Sequence, residues 1–175
     1  VYAAGDVTGR LQLTHAAYAM GRVAVRNALG GRRKAAYTDA GVPRVVFTDP
    51  EVAQVGLTET EAGPDARVAY LPMTELDRAV TAGRTDGFVK LITGPRRLLG
   101  HRCGGRLLGA TIVAARAGEM IHEPALALRT GMFTGRLAQT VHAYPTLSIA
   151  VQQAAAQFFG GYGGRTARLP RARDE

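Results

Sequence analysis

Cysteine is almost absent from this sequence of 175 residues, in which Cys103 is the single example. One thiol cannot form an internal disulfide, a CxxC redox pair or a cysteine-rich zinc site. Cys103 lies in the glycine-rich stretch 100–105, which predicts a turn. Because a reactive thiol needs a lowered pKa and a partner base, we expect Cys103 to be passive.

Long apolar stretches are also missing. No run approaches the roughly 18 to 20 apolar residues of a membrane-spanning helix. The first residues lack the basic region and apolar stretch of a signal peptide. Apolar residues nevertheless make up 46% of the sequence, which favours a folded core. We therefore expect no membrane association and a cytoplasmic location.

Lysine is scarce, and the formal net charge of +8 comes largely from arginine. Two basic clusters stand out: Arg22, Arg26, Arg32, Arg33 and Lys34 in one, and Arg165, Arg168, Arg171 and Arg173 in the other. Basic runs can follow nucleic-acid phosphates, but they more often form a solvated face. The first cluster has no interleaved aromatic residues, and no nucleic-acid-binding motif is present. Nucleic-acid binding is the less favoured alternative.

The first 30 residues predict a strand, a loop and a helix. The short apolar run over residues 1–4 predicts a buried strand that ends at Gly5-Asp6. Thr14 is placed to cap a helix that extends to about Leu29. Glycine permits close approach of the backbone, and a helix N-terminus has free N–H groups, so this unit can bind a polar ligand through Asp6. Residues 31–41 predict a linker.

Residues 42–159 predict an α+β domain with strands first and helices last. Strands are predicted over 44–48, 52–57, 68–73, 87–93 and 106–115, with a long hairpin loop over 94–105. Helices are predicted over 58–61, 117–130, 134–141 and 146–159. Pro124 falls inside the second of these, and Pro145 fits the first turn of the last. This pattern favours a mostly antiparallel sheet with helices on one face. Residues 160–175 predict a disordered basic tail.

Three carboxylates lie close together in the sequence, at Asp49, Glu51 and Glu59. Paired carboxylates can perform acid–base chemistry or bind a metal ion. No histidine lies near them, so we expect them to have turn and cap roles. The sequence predicts no metal site.

Several segments resemble the flavoprotein disulfide reductases, also called class I pyridine nucleotide-disulfide oxidoreductases. Val1–Gly9 contains Tyr-Ala-Ala-Gly-Asp, which resembles the second flavin-binding motif of this family. Pro43–Glu59 resembles the entry to the family's C-terminal dimerisation domain, and Gly118–Ile121 occurs at the matching place. His142–Ser148 resembles the family's closing motif. Together the resemblance covers residues 1–159.

The resemblance implies FAD as cofactor and NAD(P)H as co-substrate of a longer parent enzyme. In the family, Gly5 and Asp6 would belong to the flavin site, with Asp6 binding the ribityl chain. The backbone at Leu13, Thr14 and His15 would approach the flavin ring. The family's GxGxxG fingerprint, CxxxxC pair and NAD(P)H domain have no counterpart in these residues, and the flavin motif opens the chain without a methionine.

We therefore expect a fragment of an FAD-dependent NAD(P)H oxidoreductase that is inactive alone. Residues 1–30 would be the end of the FAD-binding domain, and residues 42–159 would be the dimerisation domain of a homodimer. A free-standing dimerisation or interaction module is the alternative.

The closing segment departs from the family pattern for lipoamide and glutathione. In family members that act on lipoamide or glutathione, the motif reads His-x-His-Pro-Thr and continues to a glutamate. The second histidine and this glutamate form an acid–base pair. Tyr144 replaces the second histidine and Ile149 replaces the glutamate. A tyrosine, with a pKa of about 10, is a poor base at neutral pH. We name Tyr144 and His142 as candidate catalytic residues, and we favour a mercuric-reductase-like or general oxidoreductase over thiol–disulfide exchange.

Overall fold

A computed structural model describes residues 1–30 and 33–171, which fall into two compact units. The first unit is Val1–Val42, and the second begins at Pro43. Gly31 and Arg32 of the predicted linker, and Arg173 of the second basic cluster, lie outside the described residues.

A single long helix, α1 (Thr14–Leu29), organises the first unit. Its predicted bounds are confirmed, but Leu13 is the N-cap and Thr14 is the first helical residue, so the prediction that Thr14 caps the helix is wrong. The predicted strand over residues 1–4 is also wrong. In the described part of the chain no strand lies beside these residues, and an isolated strand would leave its backbone groups without partners.

The segment after α1 is fixed to that helix by the side chain of Asn27. Its amide donates to the carbonyl oxygen of Ala35 over 2.9 Å, and its carbonyl accepts the N–H of Ala35 over 2.7 Å. Further along, Asp39 forms an ion pair of 2.6 Å with Arg10. Residues 33–41 are therefore anchored to the first unit.

The second unit is built on a five-stranded sheet in which every neighbouring pair is antiparallel. The spatial order is β1-β2-β5-β4-β3. The strands are β1 (Arg44–Val46), β2 (Glu51–Gly56), β3 (Arg67–Pro72), β4 (Phe88–Gly94) and β5 (Arg106–Ala114). The antiparallel sheet predicted from the sequence is confirmed.

Helices cover one face of this sheet. Five follow or interrupt the strands: α2 (Asp77–Thr81), α3 (Ala117–Met120), α4 (His122–Arg129), α5 (Thr134–Gln139) and α6 (Ile149–Ala156). Because successive side chains on a strand alternate between faces, the register Ala53–Ile112 and Val55–Ala110 sends these four to the same side. They form one buried cluster with residues of α3 to α6. The predicted α+β layer with helices on one face is confirmed.

Local departures from the predicted helices follow from proline and from tertiary contacts. The helix predicted over 117–130 is broken at Ile121, and Pro124 lies in the first turn of α4, where its missing N–H is not needed. Pro145 precedes α6 and is not part of it. Thr58 and Glu61 form one turn, in which the Glu61 carboxylate accepts the Thr58 N–H over 2.8 Å, but no helix follows. Helix α2 was not predicted.

The predicted disordered tail is instead joined to the sheet by a backbone bridge at Arg168, and residues 172–175 lie outside the described part. The N–H of Val68 in β3 donates to the carbonyl of Arg168 over 2.7 Å, and the N–H of Arg168 donates back over 2.9 Å. Beside this bridge, the Gln157 side chain accepts the N–H of Tyr70 over 3.1 Å and donates to its carbonyl over 3.0 Å. Both contacts occupy the outer edge of β3.

Glu59 holds this tail segment through charge. Its carboxylate is within 2.9 Å of Lys90 and 2.6 Å of Arg168, and it accepts the N–H of Arg171 over 2.9 Å. Burial disfavours the charged form, but these hydrogen bonds more than offset it and lower the pKa of Glu59 to about 2. A pKa this far below the usual 4.5 corresponds to about 3 kcal/mol of stabilisation in favour of the carboxylate.

Replacing this carboxylate should weaken the second unit in a pH-dependent way. We expect Glu59→Gln to lower the free energy of unfolding by about 2 kcal/mol at pH 7. The stabilisation from a lowered pKa is present above pH 4.5 and is lost as the pH falls towards 2. The difference between the two proteins should therefore shrink over that range in urea unfolding. The exposed Asp65→Asn is the control and should leave the curve unchanged; a constant difference across the range would contradict the assignment.

Candidate functional site

The two candidate catalytic residues lie on the segment that joins α5 to α6. His142 is half-buried, whereas the side chain of Tyr144 is exposed and the Tyr144–Pro145 peptide is cis. The two side chains have different partners: His142 contacts α4, and Tyr144 contacts the first residue of α2. The two side chains therefore do not form one hydrogen-bonded pair.

Both ring nitrogens of His142 face hydrogen-bond acceptors. Nδ1 is 2.9 Å from the carbonyl oxygen of Thr140, and Nε2 is 3.0 and 3.1 Å from the two carboxylate oxygens of Glu123. A carbonyl and a carboxylate only accept, so both contacts are hydrogen bonds only when both nitrogens carry a proton. Burial opposes the charged ring, but the bonds to Glu123 and Thr140 outweigh it and raise the pKa of His142.

A doubly protonated imidazole has no lone pair available to accept a proton. The geometry thus gives His142 the role of an imidazolium that ties the segment to α4, rather than that of a general base. In an extended segment, residues two apart such as His142 and Tyr144 would point to the same side. The structure gives them partners on different helices, and it leaves Tyr144 as the exposed group of this segment.

Tyr144 is held by a carboxylate from a distant part of the chain. Its hydroxyl donates to Oδ2 of Asp77 over 2.8 Å. This hydrogen bond and the negative charge of Asp77 raise the pKa of Tyr144, so the side chain is a neutral phenol at physiological pH. Ile149, at the position of the family glutamate, is the half-buried first residue of α6.

Sequence reasoning missed both carboxylates of this site. Glu123 is 19 positions from His142, and Asp77 is 67 positions from Tyr144. Neither separation matches a helical or strand period, so no local pattern indicates the contacts. Glu123 lies two residues after the signature Gly118–Ile121, which marks this part of the chain as family-like without indicating its contact with the closing motif.

The three other candidate carboxylates have structural partners. Asp49 forms an ion pair with Arg84, and the Glu51 carboxylate accepts the N–H of Gly118 over 2.8 Å. Glu59 fixes the tail segment. Across residues 1–30 and 33–171, no group of three or more histidine, cysteine, aspartate or glutamate side chains is placed to bind a metal ion. Nor does any helix in those ranges have the length and apolar character to cross a membrane.

In the first unit, Gly5 and Asp6 form a tight turn beside α1. Gly5 has a φ of 83°, in the left-handed region that favours glycine, and a Cβ there would lie 3.4 Å from that of Ala17. Its N–H points to the sulfur of Met20 over 3.3 Å. Asp6 begins the following 3-10 turn and is exposed. The carboxylate is therefore accessible to hydroxyl groups of a ligand.

The N-terminus of α1 has the features needed to face a polar ligand. Leu13 caps it without a side-chain hydrogen bond, and the first turn contains no acidic residue. Thr14 and His15 are exposed. Because the start of a helix of 16 residues carries partial positive charge, it favours a group with negative charge. The predicted residues Gly5, Asp6, Leu13, Thr14 and His15 are thus all placed within one small unit.

Comparison with known proteins agrees with this architecture. Residues 42–155 match the family model described as "Pyridine nucleotide-disulphide oxidoreductase, dimerisation domain". The five-stranded antiparallel sheet with helices on one face is the fold of this domain. The chain belongs to the pyridine nucleotide-disulphide oxidoreductase family.

Individual relatives extend the match towards the N-terminus. The chain is 40% identical over 159 residues to dihydrolipoyl dehydrogenase 2 of Haloarcula marismortui, covering 89% of this chain and 32% of the relative. It is 41% identical over 158 residues to the dihydrolipoyl dehydrogenase of Thermus scotoductus, again covering 89% and 32%. The chain therefore spans about a third of the length of these relatives.

Solved structures give the same result. LpdA from Mycobacterium tuberculosis superposes with a TM-score of 0.78 at 35% identity, covering 89% of this chain and 33% of that one. The HOCl-induced flavoprotein disulfide reductase RclA from Escherichia coli superposes with a TM-score of 0.75 at 30% identity, covering 87% and 34%. Both confirm the fold and the partial coverage.

The imidazolium state of His142 predicts a loss of stability at alkaline pH. A raised pKa contributes stability that is fully present below the unfolded value of about 6.5 and is lost as the pH rises through the folded value. We expect His142→Gln to lower the free energy of unfolding by roughly 1 to 2 kcal/mol at pH 6, and by less at higher pH. Urea unfolding at several pH values measures this.

The control for this experiment is His122→Gln, since His122 is exposed and adjacent to Glu123. It should keep the pH dependence of the original chain. If His142→Gln and His122→Gln gave the same profile, the charged His142–Glu123 pair would be ruled out.

Proposed function

We propose that this chain is part of an FAD-dependent NAD(P)H oxidoreductase, in which it supplies the dimerisation domain and part of the flavin site. The observation that carries the proposal is the order of parts: a Gly-Asp turn and α1 precede a domain that matches the family over residues 42–155. Relatives over nearly the whole described chain are named dihydrolipoyl dehydrogenase or flavoprotein disulfide reductase.

The first unit fits the flavin that this proposal requires. Bound FAD would supply the redox chemistry by taking up electrons from NAD(P)H and passing them on. The exposed Asp6 carboxylate is suited to hydrogen bonds from the ribityl hydroxyls, and Gly5 lets the backbone approach closely. The backbone at Leu13, Thr14 and His15 would face the ring, where the helix dipole favours negative charge. Residues 1–30 would then be the end of an FAD-binding domain, as the sequence predicted.

The proposed homodimer would form through the dimerisation domain predicted over residues 42–159. Its strand β1 is an outer strand of the sheet, and Val46 and Phe47 at this edge are 59% and 80% exposed. Apolar side chains with this exposure favour burial against a partner. Helix α6 packs mainly inside its own unit, so the segment before it, with Tyr144, is the part that can reach a second subunit.

The closing segment supports an oxidoreductase without the family's acid–base pair. Both ring nitrogens of His142 already face acceptors, and the phenol of Tyr144 donates to Asp77, so neither side chain is arranged as a general base. We therefore propose that Tyr144 lines the substrate pocket, and that lipoamide or glutathione is a less suitable substrate than one of a mercuric-reductase-like or general reductase. A cytoplasmic location is part of this proposal.

Two alternatives remain from other classes. A free-standing dimerisation module is supported by the separate core of the second unit. Nucleic-acid binding is disfavoured because Arg165 is paired with Glu75 and Arg168 with Glu59, which leaves less charge for phosphates. The DNA directly upstream of the coding sequence distinguishes the proposal from the free-standing module. The proposal requires that this DNA encode a GxGxxG fingerprint in the same reading frame.

Purification of the chain tests the flavin part of the proposal. We expect no flavin absorbance and no NADH-dependent dye reduction from these 175 residues alone, because the site for the FAD pyrophosphate requires a GxGxxG turn that they lack. Flavin absorbance together with turnover would overturn the assignment of a partial flavin site.

Light scattering at micromolar concentration tests the dimer. We expect Phe47→Asp to weaken dimerisation at least about tenfold, which corresponds to about 1.4 kcal/mol. Leu98→Asp is the matched control, since Leu98 is 91% exposed at the tip of the hairpin loop. A monomer in the original chain, or equal effects of both substitutions, would contradict the proposed interface.

A further inference from the structure

A carboxylate from outside the closing segment stands beside Tyr144. The segment has no acidic residue of its own, and the position of the family glutamate is the apolar Ile149. Asp77, at the start of α2, instead accepts the hydrogen bond of the Tyr144 hydroxyl over 2.8 Å. A different part of the fold thus places a negative charge next to the residue that replaces the family histidine.

We propose that Asp77 is a positioning residue for Tyr144, which it holds in one orientation with the phenolic proton directed at its own carboxylate. This inference rests on the proposed function, in which Tyr144 faces the substrate. Asp77 takes the place of the carboxylate that the closing segment lacks, although it belongs to another element.

The support on both sides of the hydrogen bond is rigid. Leu76 and Ala79, on either side of Asp77, are buried in the core, so the start of α2 is fixed. On the other side, the His142–Glu123 pair ties the backbone of the segment to α4 two residues before Tyr144. An exposed tyrosine otherwise samples several rotamers, and a partner on a fixed helix removes this freedom.

The direction of the hydrogen bond determines which substrate group suits the site. Because Tyr144 donates its proton to Asp77, the phenolic oxygen offers lone pairs to a third group. The negative charge of Asp77 also disfavours an anion there. The pair therefore favours a substrate group that can donate a hydrogen bond, such as a protonated thiol or an amine, over a thiolate or a carboxylate.

Ultraviolet titration of the tyrosines tests the inference in the chain itself, without flavin. The difference between the original chain and Tyr144→Phe isolates the ionisation of Tyr144. We expect its midpoint above the usual value of about 10, because the hydrogen bond to Asp77 and the negative charge of Asp77 oppose the phenolate. Asp77→Asn should shift the midpoint downward, and Asp77→Glu should restore part of the shift.

The control is Asp86→Asn, since Asp86 is exposed and no hydrogen bond or ion pair of its side chain is found among the described residues. It should leave the Tyr144 midpoint unchanged. Circular dichroism at neutral pH should show that each variant is folded. Equal midpoints in the original chain and in folded Asp77→Asn would overturn the role of Asp77.

Failure of this inference can be distinguished from failure of the proposed function. The titration depends only on the contact between Tyr144 and Asp77, whereas light scattering and flavin absorbance test dimerisation and the flavin site. A downward shift in Asp77→Asn with a monomeric chain would leave the positioning contact standing and reject the proposed dimer. An unchanged midpoint in a dimeric chain would reject the positioning contact and leave the proposed dimer standing.

Discussion

The second unit depends on the alternation of side chains along β2, β5 and β4. With this register, one face of the sheet consists of small and branched apolar residues, and that face must be removed from water. The chain after β5 supplies the cover in the form of α3 to α6. The closing segment connects α5 and α6, which contact one another, so the packing of these two helices fixes its position. The positions of His142 and Tyr144 are thus consequences of how the sheet is buried.

The sequence predicted the elements whose signals are local. Runs rich in strand-forming residues and bounded by turn signals predicted the strands, and the apolar spacing and the glycines after Leu29 predicted the length of α1. The missed features depend on contacts between distant residues. Helix α2 has only five residues, and its significance lies in Asp77, whose partner is 67 positions away. Residues 1–4 were predicted as a strand, but strand formation requires a neighbour that these residues do not have in the described chain.

The tail at the C-terminus was also mispredicted because its ion pairs join distant parts of the chain. A glycine- and arginine-rich composition is typical of disorder, yet Arg165 and Arg168 meet Glu75 and Glu59, which lie about a hundred positions earlier in the chain. Composition counts charges but does not show which of them are neighbours after folding. The same limit applies to His142, a candidate catalytic residue in the sequence, whose two ring nitrogens face Thr140 and Glu123 in the folded chain.

The occupied edge of β3 has a consequence for how sheets of this kind can join. Gln157 uses its side-chain amide as a substitute for a strand backbone at Tyr70, and Arg168 completes the cover with its own backbone. Unpaired edges can template the addition of further strands. Among the residues that the structure describes, the outer strand left for sheet extension is β1. Two chains that met there edge to edge would leave no free edge for a third, so such growth would stop at a closed pair and could not continue into a filament.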